Sequence, residues 1–145
     1  MKNSIEKNIL IRTITPSDFT EVLSLWKKAG LSIPNDEMEI FLLQITIKKN
    51  PNSCLVLEKD KKIIGNILGT FNGWRGWIYH LAIHPDFQQH GYGSLLLQKT
   101  EKELKKQGAQ KIHLGVVYTN LKVIQFYEKF GYTVVNDALW LRKSI

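Results

Sequence analysis

The chain has 145 residues, 43% of them hydrophobic and 23% charged, with a formal net charge of +7 at pH 7. These values are typical of a single globular domain, which we expect over residues 1–145. A chain of this length buries about 70% of the surface that its unfolded form exposes, so it is expected to fold without a metal or a disulfide. There is no apolar run of 18 residues and no cleavable apolar segment near Met1. We therefore expect no membrane span, no secretory signal and a cytoplasmic location.

Two features of the composition raise functional alternatives. Cys54, the single cysteine, cannot form an intrachain disulfide, and we expect it to pack in a strand rather than act as a nucleophile. The positive charge suggests nucleic-acid binding, but the arginines lie far apart at Arg12, Arg75 and Arg142, and the lysines are spread along the chain. We therefore expect no nucleic-acid partner, and the charge suits an anionic substrate or cofactor instead.

The first third of the chain predicts one strand and two helices. Isoleucines over residues 9–14 indicate the strand, and Pro16 indicates the start of a helix over residues 17–29. A second helix is expected from Asn35 or Asp36. Its expected inward-facing residues are apolar: Ile40, Phe41, Leu42, Leu43 and Ile47.

The middle of the chain predicts an antiparallel meander. Residues 54–58 and 62–71 indicate two strands joined by a turn, and Gly65 and Gly69 mark bulges or close approach of another backbone. The pair Asn72-Gly73 then predicts a hairpin into a fourth strand. The third and fourth strands are therefore expected to be antiparallel neighbours.

Residues 78–98, with the sequence IYHLAIHPDFQQHGYGSLLLQ, predict a strand, a loop and the start of a helix. The apolar strand ends at the His84-Pro85-Asp86 segment, because proline donates no backbone N–H. The helix from Ser94 to Gly108 has apolar residues on one face and lysines on the other. Residues 111–117 predict a fifth strand, parallel to the fourth because a helix connects them.

The end of the chain predicts one more helix and a closing hairpin. Asn120 is expected to cap the helix, and Val123, Phe126, Tyr127 and Phe130 form its apolar stripe. Residues 132–135 and 138–143 are expected to pair as the hairpin.

The loop before the helix at Ser94 has the features of a phosphate-binding site. Backbone N–H groups in the first turn of a helix lack partners and carry partial positive charge. Gly91 and Gly93 permit close approach of a phosphate, and each can adopt a positive φ. An ordinary strand-to-helix connection is the alternative. Leu96 excludes a dinucleotide loop, which requires glycine there, and the lack of a Gly-Lys pair excludes a nucleoside-triphosphate loop.

Two motifs resemble those of one known family. Residues 88–93, QQHGYG, resemble the Gln/Arg-x-x-Gly-x-Gly/Ala acetyl-CoA loop of the GNAT family of N-acetyltransferases. Residues 120–132, NLKVIQFYEKFGY, resemble the late helix of that family. The resemblance covers roughly residues 8–143. It implies an α/β (α+β) fold of three layers, with a mixed, mostly antiparallel sheet of six or seven strands and about four helices. In this fold the parallel fourth and fifth strands splay apart.

The resemblance also implies a cofactor and a set of site residues. Acetyl-CoA is the implied co-substrate, and no metal is expected. Tyr127 matches the general acid, and the Ile83 N–H matches the donor that stabilises the oxyanion. Asn120 is either a cofactor contact or only a helix cap. The remaining implied cofactor contacts are Leu81, Ala82 and Ile83 for the pantetheine arm, and Gln88, Gln89, His90, Gly91, Tyr92, Gly93 and Ser94 for the pyrophosphate.

The base and the acceptor are less well defined. Family members often place Glu or His at two positions of the fourth strand that hold Trp77 and Tyr79 here. His80 is expected to point to the opposite face, unless a bulge reverses the register. The candidate acceptor residues are Trp26, Trp74, Trp77 and Tyr79. The resemblance implies an acceptor site at the first two helices and the hairpins, where Trp26, Trp74 and Trp140 with acidic residues nearby would suit a cationic amine, although core packing explains Trp26 and Trp140 equally well.

The expected activity is direct transfer of an acetyl group to a primary amine of a small molecule, peptide or protein N-terminus. The alternative is a catalytically silent module that binds or senses acyl-CoA, which the missing acidic base favours. We expect a monomer or homodimer, with acetyl-CoA and an amine as partners and no membrane association.

Overall fold

A computed structural model describes residues 8–145, which divide into two compact units, residues 8–114 and Gly115–Ile145. The first unit contains a five-stranded sheet in the order β1-β2-β3-β4-β5. All neighbouring strands are antiparallel except β4 and β5, which are parallel as expected. The strands are β1 (Ile9–Thr13), β2 (Cys54–Lys59), β3 (Lys62–Phe71), β4 (Gly76–Ile83) and β5 (Ile112–Leu114). The single domain over residues 1–145 stays a prediction.

Two helices, α1 (Phe19–Lys28) and α2 (Asp36–Lys49), pack on one face of this sheet. The N-terminus of α2 is capped as expected, because the Asn35 side chain accepts the Met38 N–H at 3.0 Å. The expected burial of α2 is partly wrong. Leu43 is buried, but Phe41 and Leu42 are 55% and 46% exposed, since the helix contacts the core along a narrow stripe only.

The helix α3 (Tyr92–Gln107) covers the other face and lies unusually close to β3. A Cβ on Gly65 would lie 2.9 Å from a methyl group of Leu96, and one on Gly69 would lie 2.8 Å from the carbonyl oxygen of Ser53. Gly65 therefore permits the close approach of an α3 side chain, and Gly69 that of the backbone at Ser53, so close approach is the alternative that these two glycines adopt. Asn66, between them, points to the opposite face, where its amide oxygen accepts the Trp26 indole N–H at 2.8 Å.

The strand β4 contains a bulge at its centre. Leu68 of β3 pairs with Tyr79, whereas Asn66 pairs with Ala82, so two steps on β3 correspond to three on β4. His80 lies at this point with a φ of +52°, in the left-handed region that few residues with a Cβ adopt. The extra residue places Tyr79 and His80 on the same face of the sheet, the face covered by α1.

The pairing between β4 and β5 is short. It joins Gly76 to Ile112 and ends with Ile78 opposite Leu114, where β5 stops. The strand β4 continues for five more residues to Ile83, and β5 supplies no partner for them. Beyond Ile78, β4 thus has no β5 partner at the end where α3 begins, and the splay of the two strands stays a prediction.

The second unit contains a 3₁₀ segment (Tyr118–Val123) that leads into the short helix α4 (Ile124–Glu128). Asn120 does not cap α4, because it lies inside the 3₁₀ segment at a kink and Val123 occupies the cap position. The side chains of Phe126, Tyr127, Phe130 and Tyr132 form an aromatic cluster, with neighbouring ring centroids 5.1–5.6 Å apart.

The expected closing hairpin is wrong for the described residues 132–145, which form no strand. The described chain thus has five strands rather than six or seven. An alternating pattern becomes a strand only where a partner edge satisfies its backbone, and Leu139 and Leu141 are 94% and 96% exposed. Among the described helices, none is long and apolar enough to cross a membrane.

Candidate active site

The loop over residues 88–94 at the start of α3, hereafter the cradle, is the candidate site for an anion. Gly91 occupies the N-cap position with a φ of +86°, and Gln89 also has a positive φ of +63°. The first helical hydrogen bond runs from the Leu95 N–H to the Gly91 carbonyl at 3.2 Å, so the N–H groups of the preceding residues have no helical partner. The sequence allows a positive φ at both glycines, and only Gly91 adopts one, since Gly93 lies within the helix.

Space and charge at the cradle suit a phosphate. A Cβ built on Gly91 would meet no atom within 4 Å, so the space in front of this residue is open. No side chain caps the helix and its first turn contains no acidic residue. Lys59, at the end of β2, lies 3.4 Å from the Tyr92 hydroxyl and adds positive charge beside the loop. The Tyr92 side chain is buried, so this residue can offer a ligand only its main chain.

Side chains of the loop hold its conformation. The amide of Gln88 donates to the Ile83 carbonyl oxygen at 3.0 Å and so connects the loop to the end of β4. A ring nitrogen of His90 lies 2.7 Å from the Gln88 carbonyl oxygen, and the His90 ring stacks on Tyr92 with a centroid distance of 6.1 Å. The His84 ring accepts the Asp86 N–H at 3.1 Å. Gln88 and His90 thus maintain the geometry of the cradle.

The end of β4 presents backbone groups where β5 has stopped. The His84 N–H donates to the Ile64 carbonyl oxygen of β3 at 2.8 Å. Because successive amides of a strand point to opposite edges, the Ile83 N–H points away from β3, to the edge without a β5 partner. Leu81 and Ile83 are half-buried, and Ala82 packs in the core below them. This edge has the geometry expected for binding an extended amide chain.

In the second unit, Tyr127 lies on α4 with its ring half-buried. Its ring makes edge-on contacts with Phe126 and Tyr132. Burial in this aromatic cluster raises the pKa of Tyr127 to about 12, because the phenolate loses hydration. The side chain is therefore a phenol at neutral pH and has a proton to donate.

The four candidate acceptor residues lie in different environments. Trp26 is 1% exposed and belongs to the core, so it presents no surface to an acceptor. Trp74 is 74% exposed at the hairpin before β4, with the Arg75 guanidinium 5.4 Å from its ring centroid. Trp77 is half-buried against the His113 ring, and Tyr79 is 48% exposed. Trp77 and Tyr79 lie on the same face of β4, since they are two residues apart.

Cys54 has the inert environment that the sequence predicts. It is 1% exposed, and burial raises the pKa of its thiol to about 12. A thiol in this state supplies almost no thiolate at neutral pH, so Cys54 is not available to carry an acyl group.

Sequence reasoning left two residues beside the site without a role. His80 lies on the α1 face only because of the bulge. The only feature of the local sequence that indicates this bulge is the consecutive Tyr-His pair in an otherwise apolar strand. The sequence pattern assigns Lys59 to a turn, but in the structure it is the last residue of β2. Its Nζ lies 5.3 Å from the centroid of the Phe87 ring. Both placements depend on pairing with other strands.

Comparison with known proteins agrees with this geometry. A sequence model of the acetyltransferase (GNAT) family matches residues 19–132. An acetyltransferase of Pectobacterium atrosepticum is 36% identical over 93% of this chain and 94% of its own length, and one of Sodalis glossinidius is 34% identical with the same coverage.

Two solved structures are similar in fold. Ard1 from Thermoplasma volcanium has a TM-score of 0.79 at 22% identity, over 89% of this chain and 85% of that one. The PaiA N-acetyltransferase from Thermoplasma acidophilum, solved in complex with coenzyme A, has a TM-score of 0.74 at 22% identity, over 90% and 92%. The family model and the curated relatives show that the chain is an acyltransferase that belongs to the GNAT family, and the parallel pairing of β4 with β5 agrees with this.

Proposed function

We propose that the protein transfers the acetyl group of acetyl-CoA directly to a primary amine of a small molecule or of a peptide or protein N-terminus. One observation supports this proposal. The part of β4 that has no β5 partner leads directly into the loop before α3, whose N-terminus has no side-chain cap. An amide-containing arm that ends in a diphosphate has the shape and charge to occupy both.

In this proposal the backbone N–H groups from Gln88 to Ser94 hold the pyrophosphate, and residues 81–83 bind the pantetheine amides. The open space in front of Gly91 supports the first contact. The outward direction of the Ile83 N–H supports a role for it as the donor to the thioester oxygen. Asn120 stays a candidate cofactor contact.

The chemistry needs an uncharged amine, stabilisation of the oxyanion and a proton for the departing thiolate. The Ile83 N–H supplies the second requirement, and the Tyr127 phenol supplies the third. The leaving thiol has a pKa near 8.5, below the value of about 12 for Tyr127, so the phenol would not protonate a free thiolate to completion. Its proposed role is to donate to the sulfur as negative charge develops during C–S cleavage, better than water does. Direct transfer is favoured over an acylated enzyme, because the single cysteine is buried and protonated.

The acceptor would be bound on the α1 face of β4, where Trp77 and Tyr79 present aromatic surface, with Trp74 at the hairpin. Aromatic rings attract a cationic ammonium group, which favours an amine over a hydroxyl acceptor. The alternative, a silent acyl-CoA sensor, is favoured by one observation: neither of these two β4 residues is a base at neutral pH.

A panel of amines tests the proposal. The purified protein is mixed with acetyl-CoA and a peptide with a free N-terminus, its N-terminally blocked copy, a polyamine or an aminoglycoside, and free thiol and acetylated amine are measured. We expect at least one free amine to yield both products in equal amounts. Tight binding of acetyl-CoA with no thiol release above hydrolysis for every amine would instead support the sensor.

A further inference from the structure

We propose that His80 accepts the proton of the acceptor ammonium group. This inference rests on the proposed function and deepens it, because it assigns the base that Trp77 and Tyr79 cannot provide. It depends on the bulge in β4, the exception to strict alternation that the sequence leaves open at this residue.

The bulge determines where His80 points. Without it, His80 would lie on the α3 face with Ile78, where the sheet packs against apolar side chains. With the extra residue, the His80 ring contacts Trp26 of α1 edge-on, with ring centroids 4.4 Å apart. His80 and the half-exposed Tyr79 thus lie side by side on the face proposed to bind the acceptor.

The backbone and the ring of His80 are both unfavourably placed for stability alone. The φ of +52° costs on the order of 1 kcal/mol for a residue with a Cβ. Its Nδ1 is enclosed and has no hydrogen-bond partner among the described residues. An enclosed polar atom without a partner costs about 1–3 kcal/mol. At His80, unlike at His113, this cost is combined with a left-handed backbone, so packing alone does not explain the imidazole at this position.

The electrostatic environment of His80 is suitable for a proton acceptor. Burial lowers the pKa of His80 below its usual range, and the carboxylate of Glu39 on α2 acts in the opposite direction. The imidazole is therefore neutral at pH 7 and able to accept a proton. Glu39 is the titratable group whose charge acts on His80 from the packed elements, and it would stabilise the imidazolium that forms.

The proton balance is complete. The ammonium group loses one proton to His80, and the free nitrogen pair forms the C–N bond to the thioester carbon. The C–S bond breaks with its electrons on sulfur, and Tyr127 donates a proton to the thiolate. The second proton of the nitrogen returns to Tyr127 through solvent, and the His80 imidazolium releases its proton to solvent.

The chain offers a matched control for His80. His113, on β5, is also half-buried and also has an enclosed Nδ1 that finds no hydrogen-bond partner within residues 8–145. Loss of an imidazole from either strand should therefore have a similar effect on stability. A change in the chemistry is expected for His80 alone.

The test compares the unmodified protein, His80→Gln and His113→Gln, with acetyl-CoA and the most active amine of the panel. We measure kcat/KM from pH 5 to 9, acetyl-CoA affinity by calorimetry and melting temperature. We expect His80→Gln to lower kcat/KM at pH 7 about 10²-fold with unchanged acetyl-CoA affinity. The inflection of kcat/KM at the titration of His80 should disappear in this variant, leaving only the rise with pH that follows the fraction of free amine. His113→Gln should keep the unmodified pH profile.

Two further measurements test the inference even if His80→Gln does not fold. In the unmodified protein, the acid limb of kcat/KM should coincide with the titration of His80 followed by NMR, and added imidazole should restore turnover in His80→Ala. An unchanged pH profile in His80→Gln, or an acid limb that does not follow His80, overturns the inference and leaves the proposed function intact. Absence of turnover with every amine overturns both.

Discussion

Burial acts in opposite directions on the two side chains proposed to move protons. It raises the pKa of Tyr127 to about 12 and lowers the pKa of His80, because in each case it disfavours the charged form. A neutral phenol can donate a proton and a neutral imidazole can accept one. One physical effect therefore keeps both groups in their neutral forms at pH 7, although it also makes the phenol a weaker acid and the imidazole a weaker base.

Replacing Tyr127 by Phe tests the acid at the level of one hydroxyl group. We expect kcat to fall about 10²-fold or more, because the thiolate loses its proton donor. The dissociation constant for acetyl-CoA should change by less than about twofold, since the phenol acts on the leaving group. Thiol release and calorimetry measure the two effects.

Tyr118→Phe is the control for this substitution, because Tyr118 lies in the same unit and is 92% exposed. It should leave both values unchanged. Small, equal changes of turnover and affinity in Tyr127→Phe would contradict the assignment and favour the sensor.

At the level of elements, the cradle depends on how a strand is connected to a helix. Left-handed residues at Gln89 and Gly91 turn the chain so that α3 begins with free N–H groups. Glycine is required at Gly91 for its backbone conformation, because no neighbouring atom would obstruct a Cβ there. A side chain at this position would instead occupy the open space in front of the cradle.

Gly91→Val should therefore abolish acetyl-CoA binding. Valine at a φ of +86° is strained by about 1–2 kcal/mol, and its methyl groups would fill the space proposed for the pyrophosphate. Gly30→Val is the matched control, because Gly30 has a φ of +88° and also has no atom within 4 Å of a built Cβ. It should lower the melting temperature similarly but retain acetyl-CoA binding. Calorimetric binding to Gly91→Val with unchanged affinity would refute the cradle.

Over the whole molecule, one charged network connects distant parts of the chain. Arg12 on β1 binds both carboxylate oxygens of Asp18, at 2.7 and 2.8 Å, and also Glu58 on β2 at 2.8 Å. The Asp18 carboxylate also accepts the Thr15 N–H at 2.8 Å, at the entry to α1. Two strands and the first helix are thereby fixed together, so the network should affect global stability.

The network predicts how stability depends on pH. The hydrogen bond from Arg12, first of all, lowers the pKa of Asp18, so the folded state binds this proton more weakly than the unfolded state. The stabilisation is thus fully present above about pH 5 and is lost as pH falls below the unfolded value of about 3.9. Asp18→Asn should lower the free energy of unfolding by about 2 kcal/mol at pH 7 and weaken its acid dependence.

Asp36→Asn is the control, because its ion pair with Lys27 is about half exposed on both sides. It should change stability by less than about 1 kcal/mol. Chemical denaturation at pH 7 and pH 4 measures both variants. An Asp18→Asn protein as stable as the control at pH 7 would contradict this role for the network.

The sequence alone determines the segments whose structure is local. The glycine loop, the helix from the cradle to Gly108 and the turn at Asn72-Gly73 follow from caps, turn residues and periodicity within a few residues of each other. These short-range signals also carry the family resemblance. Parallel pairing of the fourth and fifth strands follows as well, because a connecting helix leaves little alternative.

Tertiary structure decides the features that depend on distant partners. The bulge at His80 exists only in the register of β4 against β3, and it reverses the face that alternation assigns to this residue. Trp26 is buried by the packing of α1 on the sheet, and Asn66, forty residues away, satisfies its indole N–H there. The segment 132–145 has the pattern of strands but no strand forms there, because a strand requires an edge to pair with. Sequence periodicity indicates which residues can share a face of a strand. Only pairing with distant strands determines whether that face packs against α1 or against α3.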